Sequence, residues 1–170
     1  MRTAKWTLIT LIVLAVAGFL HWSLPGRDVV RILGTEVQRR TEGSGPEGQV
    51  RVTDVRFIKA VSPDGDPRVY RNEDTGWGWP PYFKFNSANL AAVADDARST
   101  EDDPRWMVVR HYGWRIPMIS AFPNALSIRA ATGPDQLLIP WTAIVVVVLL
   151  VAGVGYVWLR VRRWLARRRT

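Results

Sequence analysis

Two long runs of apolar residues, one near each end of the chain, are the strongest pattern in the sequence. Residues 6–22 read WTLITLIVLAVAGFLHW and carry no formal charge. As a helix this run would rise about 25 Å, slightly less than the ~30 Å hydrocarbon core of a bilayer. Residues 137–159 form a longer uncharged run that would rise about 34 Å, with Pro140 near its start, where a helix tolerates proline. The pattern predicts membrane-spanning helices within residues 1–22 and 136–159.

The first run has a second interpretation, as a cleaved signal peptide. Arg2 and Lys5 form a short basic start, and residues 15–17 (AVA) offer a small-x-small cleavage pattern. The apolar run continues through Phe19, beyond that pattern, which favours an uncleaved anchor. The second run is followed directly by a basic tail, residues 160–170, as expected of a membrane span with its end in the cytoplasm.

Between the two runs, residues 23–135 alternate between short segments of β type and turn signals. Segments rich in β-branched and aromatic residues predict strands at residues 28–40, 50–61, 68–71, 106–114 and 124–131. A turn is predicted at residues 62–66 and a polar loop at residues 41–49. A helix over residues 87–97, capped by Asn86 or Ser87, is expected to bury Leu90, Val93, Ala94 and Ala97.

The order of these elements is strand, strand, strand, helix, strand, strand. A small Greek-key barrel of the OB type has this order, with its helix between the third and fourth strands. We therefore predict an α+β, mainly β fold: a five-stranded OB-like barrel with one short helix, flanked by N- and C-terminal transmembrane helices. Other α+β arrangements and β-sandwiches are open alternatives.

Charge is divided unevenly between the central domain and the chain ends. All 15 acidic residues lie between Asp28 and Asp135, and the formal net charge of +8 comes from basic residues at the two ends. The domain is therefore close to neutral, which argues against a nucleic-acid partner despite the high pI. Because lysine and arginine mark the cytoplasmic ends of spans, both termini are predicted to be cytoplasmic and residues 23–135 to lie on the opposite side. The absence of cysteine excludes disulfides and thiolate metal sites.

The densest local feature is an aromatic segment at residues 76–85, GWGWPPYFKF. Its two glycines and two prolines exclude a regular helix. Three interpretations are open: core packing, which is preferred; a contact surface for an envelope protein or glycan; and insertion into the outer leaflet of the membrane. The residues proposed for binding on the second interpretation are Trp77, Trp79, Tyr82, Phe83, Trp114 and Arg115.

Residues suited to catalysis are sparse. His111 lies within a predicted strand, where a packed histidine is more common than a general base. The adjacent carboxylates Glu73 and Asp74 are the pair best suited to acid–base chemistry, but neighbours in an extended chain point to opposite faces. Ion pairing with Arg71 or Arg115 is the simpler explanation of this pair. No pattern indicates a metal site or a cofactor, and no catalytic residue is assigned.

Three segments resemble a bacterial family of unknown function: residues 70–90 (YRNEDTGWGWPPYFKFNSANL), 111–117 (HYGWRIP) and 122–124 (FPN). Members of that family resemble this chain along most of its length, with a short N-terminal span, a tryptophan-rich exported domain and a C-terminal span with a basic tail. The strings RNED, KFNS, YGWR and FPN are also similar to motifs in small anchored bacterial proteins. The resemblance supports a bacterial inner-membrane protein whose central domain is periplasmic. It implies no activity, substrate or catalytic residue.

These observations together predict a membrane-anchored extracytoplasmic domain that serves as a non-enzymatic interaction or envelope-support protein. Its expected partners are the lipid bilayer and an envelope protein or glycan. The alternative is an envelope enzyme of hydrolase type that uses Glu73 and Asp74. Transport is disfavoured, because two spans with no charged residue inside the second offer no pathway for a polar solute unless the protein oligomerises.

Overall fold

A computed structural model of the chain describes residues 2–44 and 50–167. In chain order its elements are α1 (Arg2–Ser23), β1 (Gly26–Ser44), β2 (Val50–Val61), β3 (Pro67–Arg71), α2 (Ser87–Asp96), β4 (Trp106–Tyr112), a 3₁₀ turn (Pro117–Ile119), β5 (Asn124–Ala130) and α3 (Trp141–Arg167). Backbone contacts divide the chain into two compact units. Met1–Leu138 contains α1 and all five strands, and Ile139–Thr170 contains α3.

The five strands form a closed barrel in the order β1-β2-β3-β5-β4, which β4 closes by pairing with β1. The neighbours β1–β2, β2–β3, β1–β4 and β4–β5 are antiparallel, and β3 meets β5 in a parallel bridge. The helix α2 lies between the third and fourth strands in sequence. The predicted OB-like barrel, flanked by two apolar helices, is confirmed.

The long first strand closes the barrel by changing partners along its length. Gly26 to Arg31 pair with β4, and from Arg31 onward β1 pairs with β2. A bulge between Ile32 and Gly34 follows the change of partner, and bulges bend and twist the strand that contains them. Gly34 has a φ of +147°, and a Cβ at this position would lie 2.9 Å from the guanidinium of Arg98. Glycine therefore lets β1 bend against the segment that follows α2.

The barrel core is built from aliphatic side chains of β1, β2, β4 and β5 around one buried tyrosine of β3. Its strand residues are Val30, Ile32, Ile58, Ala60, Tyr70, Val109 and Ala125. The helix α2 packs on this core through Leu90, Ala94 and Ala97, as predicted. The prediction for Val93 is wrong, since its side chain is 43% exposed. The helix contacts mainly β1 and β5, so only a narrow stripe of its surface is covered.

The two terminal helices are long and apolar enough to cross a membrane, judged by length and composition. The candidate spans are Thr3–Ser23, with a mean hydropathy of 1.9, and Trp141–Trp164, with a mean hydropathy of 2.5. A signal sequence would pass the same test as the first of them. The helix α3 begins at Trp141, because Pro140 precedes the first helical residue and its carbonyl accepts from the Ile144 N–H at 3.1 Å. It continues to Arg167, through most of the basic tail.

Several strand boundaries differ from the prediction by one or two residues, and the end of β1 differs by four. The strand β1 runs to Ser44, so the predicted loop is wrong at residues 41–44, while residues 45–49 lie outside the described part of the chain. The strand β4 stops at Tyr112 because Gly113 takes a φ of +97°, which ends the extended conformation before Trp114. The turn predicted at residues 62–66 is confirmed by a 2.9 Å hydrogen bond between its first N–H and its last carbonyl.

Candidate functional site

The aromatic segment between β3 and α2 lies at the surface rather than in the core. Trp77 is 84% exposed, Trp79 61% and Phe83 52%. Pro80 is fully buried, and the Trp79–Pro80 peptide bond is cis. The preferred interpretation, core packing, is therefore wrong for these three rings. The two surface interpretations, a binding face and a membrane contact, fit the observed exposure.

Hydrogen bonds between Thr75 and Lys84 close the base of this segment. The N–H groups of Thr75 and Gly76 donate to the Lys84 carbonyl at 3.1 and 3.2 Å, and the Lys84 N–H donates to Thr75 Oγ1 at 3.0 Å. The Lys84 side chain is buried, and its Nζ donates to Asn72 Oδ1 at 2.7 Å. The exposed rings are therefore presented from a hydrogen-bonded base.

The carboxylate pair considered for catalysis serves to hold this segment and α2 in place. Glu73 forms an ion pair with Arg71. Asp74 accepts from the Ser87 N–H at 2.9 Å through Oδ1 and from Ser87 Oγ at 2.8 Å through Oδ2. Asp74 therefore caps α2 from outside the helix, whereas Asn86, the predicted cap, makes no capping hydrogen bond with its side chain. Neither carboxylate has the arrangement of a catalytic acid or base.

The last turn of α1 is hydrogen-bonded directly to the barrel. The Gly113 N–H donates to the Trp22 carbonyl at 3.0 Å, and the Tyr82 hydroxyl donates to the Ser23 carbonyl. The final carbonyls of a helix have no partner within the helix. Here donors from the aromatic segment and from the residue after β4 satisfy two of them, so the barrel and this helix end are joined.

Aromatic rings surround the same end of α1. Trp79 stacks on Phe19, with ring centroids 5.6 Å apart and planes 20° apart. The Trp114 indole N–H donates to His21 Nδ1 at 2.8 Å. We call the six rings at this helix end the aromatic collar: Phe19, Trp22, Trp79, Tyr82, Tyr112 and Trp114.

The structure brings together some of the residues predicted for binding and separates the others. Those in the aromatic collar are Trp79, Tyr82 and Trp114. Trp77 and Phe83 contact each other, with centroids 5.4 Å apart, and project from the aromatic segment. Arg115 lines a pocket to which the collar residue Trp114 also contributes. The six residues therefore divide between the collar with its adjoining pocket and the projecting part of the aromatic segment.

This pocket, which we call the arginine pocket, has a volume of about 350 Å³. Its lining residues with ionisable or polar side chains are His21, Asp28, Arg68, Tyr70, His111 and Arg115, together with the indole of Trp114. The remaining lining is apolar or glycine and includes Val69, Ile116 and Pro123. Because α1, three strands and the segment after β4 all contribute, the pocket exists only in the folded unit.

Three of these residues, from three different strands, form a polar cluster. The Tyr70 hydroxyl donates to Asp28 Oδ2 at 2.6 Å. His111 Nε2 lies 3.1 Å from the same oxygen, at ion-pair distance but without the alignment of a hydrogen bond. The rings of Tyr70 and His111 are 5.4 Å apart. Asp28, the single carboxylate of the pocket, is therefore contacted by both Tyr70 and His111.

Electrostatics keep this carboxylate ionised. Burial by itself would raise the pKa of Asp28, but the neighbouring His111, the Tyr70 hydroxyl and the Arg68 guanidinium together lower it below its usual value. Burial, with the nearby Asp28 charge, raises the pKa of the Tyr70 hydroxyl far above its ordinary range. Tyr70 therefore remains a proton donor to an ionised Asp28 across the physiological pH range.

Sequence reasoning missed this cluster, although one signal was present. Asp28 shares its parity along β1 with Val30 and Ile32, two residues of the core. A carboxylate at a core-facing position of a strand needs a partner, because an unpaired buried charge is costly. That partner lies on strands far away in sequence, so its identity was not accessible from local pattern.

Comparison with known proteins decides the family. The family model described as "Protein of unknown function (DUF1523)" matches residues 1–165. The chain belongs to the DUF1523 family. An "Uncharacterized protein" of Haemophilus influenzae (strain ATCC 51907 / DSM 11121 / KW20 / Rd) is 39% identical over 140 residues, covering 78% of this chain and 77% of that protein. No solved structure matches the chain. The expected resemblance to a family of unknown function is confirmed at this level.

In this DUF1523 chain, four short strings of the sequence meet around the base of the aromatic segment. They are RNED at residues 71–74, KFNS at 84–87, YGWR at 112–115 and FPN at 122–124. Asn124 accepts from the Glu73 N–H at 3.0 Å and donates to the Glu73 carbonyl at 2.9 Å and to the Tyr112 hydroxyl at 3.3 Å. Asn72 donates to the Ser87 carbonyl at 2.8 Å. The strings thus build the support of the loop.

The buried Lys84 of this DUF1523 domain gives a prediction about pH. Burial lowers the pKa of its ammonium to about 8, against a smaller opposing effect of Asp74 and Glu73. Lysine in the unfolded chain keeps its ordinary pKa of 10.5. Between these values the unfolded state binds more protons, so the contribution of Lys84 to stability rises with pH. We expect the free energy of unfolding of the wild type to gain about 2–3 kcal/mol relative to Lys84→Met across this window.

The measurement is urea unfolding of the full chain in maltoside micelles, followed by tryptophan fluorescence at pH 7.5, 9 and 10.5. Lys59→Met is the control, because Lys59 lies at the surface in an ion pair with Glu36. Below pH 8 both states carry the charge, so the difference between wild type and Lys84→Met is constant there. A difference that also stays constant up to pH 10.5 would contradict the prediction.

Proposed function

We propose that this DUF1523 chain is a membrane-anchored domain that acts by binding, with α1 as an uncleaved anchor in the bacterial inner membrane and the barrel seated on the periplasmic surface. The observation that supports this most directly is the bonded join between α1 and the barrel, in which Gly113 and Tyr82 donate to the last carbonyls of the helix. An uncleaved α1 held to the barrel at Trp22 and Ser23 would orient the barrel relative to the membrane.

The position of the aromatic collar suits a membrane–water boundary. Tryptophan and tyrosine rings are enriched there, because they combine an apolar body with a polar tip. Phe19 lies roughly 6 Å before the end of α1 at Ser23 along the helix axis. Trp79, stacked on Phe19, would therefore reach the boundary between headgroups and acyl chains. Trp114, bonded to His21, would lie at headgroup level.

A second apolar projection lies close to the collar in sequence. The 3₁₀ turn Pro117–Ile119 follows Trp114 and is closed by an isolated bridge between Ile116 and Ala121. Its Met118 is 96% exposed. Exposed apolar side chains beside a membrane anchor have lipid as a natural partner. This turn would add a contact with the outer leaflet next to that of Trp79.

The surface proposed for an envelope partner is the outer part of the aromatic segment. There Trp77 packs edge-on against Phe83 and Phe85 at 5.4 and 5.8 Å, and all three rings are exposed. Rings of this kind supply contact area for a protein or a glycan at low entropic cost. The hydrolase alternative gains no support, because Glu73 is paired with Arg71 and Asp74 caps α2.

A pair of reporter fusions tests the proposed topology. A reporter enzyme that is active only in the periplasm is inserted at Gly65, in the exposed turn between β2 and β3, or attached after Thr170. We expect activity from the first fusion and none from the second, because lysine and arginine beside the spans hold both ends in the cytoplasm. The reverse result would overturn the proposal.

The mass of the intact protein purified from membranes tests whether α1 is retained. Cleavage after Ala17 would remove residues 1–17, most of α1, and leave Phe19, His21 and Trp22 close to the new N-terminus. We expect the mass of the chain that includes α1. A mature form that begins at Gly18 would refute the anchor while leaving the barrel fold as described.

A further inference from the structure

We propose that the arginine pocket binds a phosphate ester anion, and that the headgroup of a phospholipid in the outer leaflet supplies it. The lipid source rests on the proposed function, since it requires the pocket to face the membrane surface. The choice of a phosphate ester as the ligand does not depend on the proposed function. Three features of the pocket support a phosphate ligand: its positive charge, its buried nitrogen atoms without hydrogen-bond partners, and its shape.

The pocket has an excess of positive charge. Arg68 and Arg115 each contribute a guanidinium, and the single acidic residue of the lining is Asp28. The Tyr70 hydroxyl and the His111 ring already engage that carboxylate. Within the described residues neither arginine forms an ion pair with a carboxylate at 4 Å or less. An anion is therefore the ligand that this lining favours.

Three buried nitrogen atoms of the lining have no hydrogen-bond partner within the described chain: Arg115 Nη1 and both ring nitrogens of His111, of which Nε2 lies at ion-pair distance from Asp28. A buried donor left without an acceptor is unfavourable, and such atoms are uncommon in folded proteins. A phosphate group carries several acceptor oxygens and pairs with guanidinium groups through two parallel hydrogen bonds. A small movement of the Arg115 side chain would present its fork to such a group.

The shape of the pocket fits an ester better than a bare ion. Its volume of about 350 Å³ exceeds the space that phosphate alone would fill and lies in the usual range for small-molecule sites. Val69, Ile116 and Pro123 give part of the lining an apolar surface that can contact the organic part of the ligand.

The position of the pocket points to lipid as the source of the phosphate. His21, in the last turn of α1, and Trp114, in the aromatic collar, both line it. If α1 is an anchor, this places the opening where the headgroups of the outer leaflet lie. The phosphate of a glycerophospholipid is then held at the pocket at high local concentration, whereas soluble phosphate esters must be bound from the periplasm.

The test uses the full chain in maltoside micelles with three probes. Native mass spectrometry counts phosphatidylglycerol and dioleoylglycerol retained by the protein, and calorimetry measures glycerol 3-phosphate. We expect phosphatidylglycerol to be retained and dioleoylglycerol, which lacks the phosphate, not to be. Arg115→Gln and Arg68→Gln should each weaken retention at least tenfold. Arg129→Gln, at an exposed position of β5 outside the pocket, is the matched control and should leave retention unchanged.

Circular dichroism and thermal unfolding check that each variant is folded. If Arg115→Gln does not fold, Arg68→Gln, which changes the other arginine of the pocket, carries the test together with Arg115→Lys, which keeps the charge and loses the bidentate fork. Binding of glycerol 3-phosphate without retention of lipid would keep the phosphate site and overturn its lipid source. Retention that neither arginine affects, or no binding of any probe, would overturn the proposal. Arginine-dependent binding with reporters that place the barrel in the cytoplasm would instead refute the proposed function alone.

Discussion

Replacing Asn124 with alanine is expected to destabilise the barrel by about 2–4 kcal/mol, because it leaves two partly buried backbone groups of Glu73 without partners. The Asn124 amide accepts from the Glu73 N–H and donates to the Glu73 carbonyl, at 3.0 and 2.9 Å, and its side chain lies in the interior. The same residue begins β5 and pairs with Arg71 at the only parallel bridge between named strands of the described barrel. Loss of the amide therefore destabilises both the hydrogen-bonded base of the aromatic segment and the pairing of β3 with β5.

The measurement is urea unfolding in maltoside micelles with Asn86→Ala as the matched control. Asn86 is exposed and makes no capping hydrogen bond with its side chain, so its replacement should cost less than about 0.5 kcal/mol. Hydrogen exchange would locate the effect, and we expect faster exchange at Glu73 and Thr75 in the Asn124 variant. Equal stabilities of the two variants would show that the Asn124 amide does not support the segment.

Replacing Tyr70 should have the largest effect of any single substitution in the core. Its ring is 1% exposed, so Tyr70→Ala opens a cavity and is expected to cost about 3–5 kcal/mol. Tyr70→Phe keeps the ring and removes only the hydroxyl, which donates to the ionised Asp28 at 2.6 Å. Because hydrogen bonds to charged groups are stronger than neutral ones, we expect this variant to lose about 1.5–3 kcal/mol at neutral pH.

The pH dependence distinguishes the hydroxyl contribution from packing. The folded-state pKa of Asp28 lies below its ordinary value, so its stabilising contribution is present above that value and is lost as pH falls through the folded-state pKa. Without the Tyr70 hydroxyl the folded-state pKa of Asp28 rises toward its ordinary value, so the loss of stability on acidification should be smaller in Tyr70→Phe and complete at a higher pH. Asp28→Asn, which cannot ionise, should remove this difference between Tyr70 and phenylalanine. If the wild type and Tyr70→Phe lost the same amount of stability at acid pH, the hydroxyl would act through packing alone.

Much of the fold was predictable from the sequence because it depends on neighbouring residues. Alternation over residues 50–61 predicts β2 with its observed bounds, and the Pro-Asp-Gly turn signal within residues 62–66 predicts the hairpin that follows. The order of the segments favoured the OB-like barrel but left other α+β arrangements and β-sandwiches open. The uncharged runs at the chain ends predict helices for the same reason: length and composition are properties of consecutive residues.

The candidate site was less accessible. The exposure of Trp77 and the stacking of Trp79 on Phe19 depend on where Pro80 and the Thr75–Lys84 base place the loop. A tryptophan-rich sequence is equally compatible with a core and with a surface, so composition alone favoured the wrong interpretation. The hydrogen-bond partners of the polar residues were likewise not predictable from local sequence. Asp74, for example, caps α2, which begins after the aromatic segment.

By itself, then, the sequence determined two apolar helices, the strands and short helix between them, and the separation of charge between ends and centre. These follow from the local balance of backbone propensity and apolar burial. Only the tertiary structure decided that Asp28, Tyr70 and His111 meet in one pocket and that Trp114 bonds to His21. The physical reason is that closure of the barrel sets the register between strands, and register selects which side chains from distant parts of the chain share a cavity.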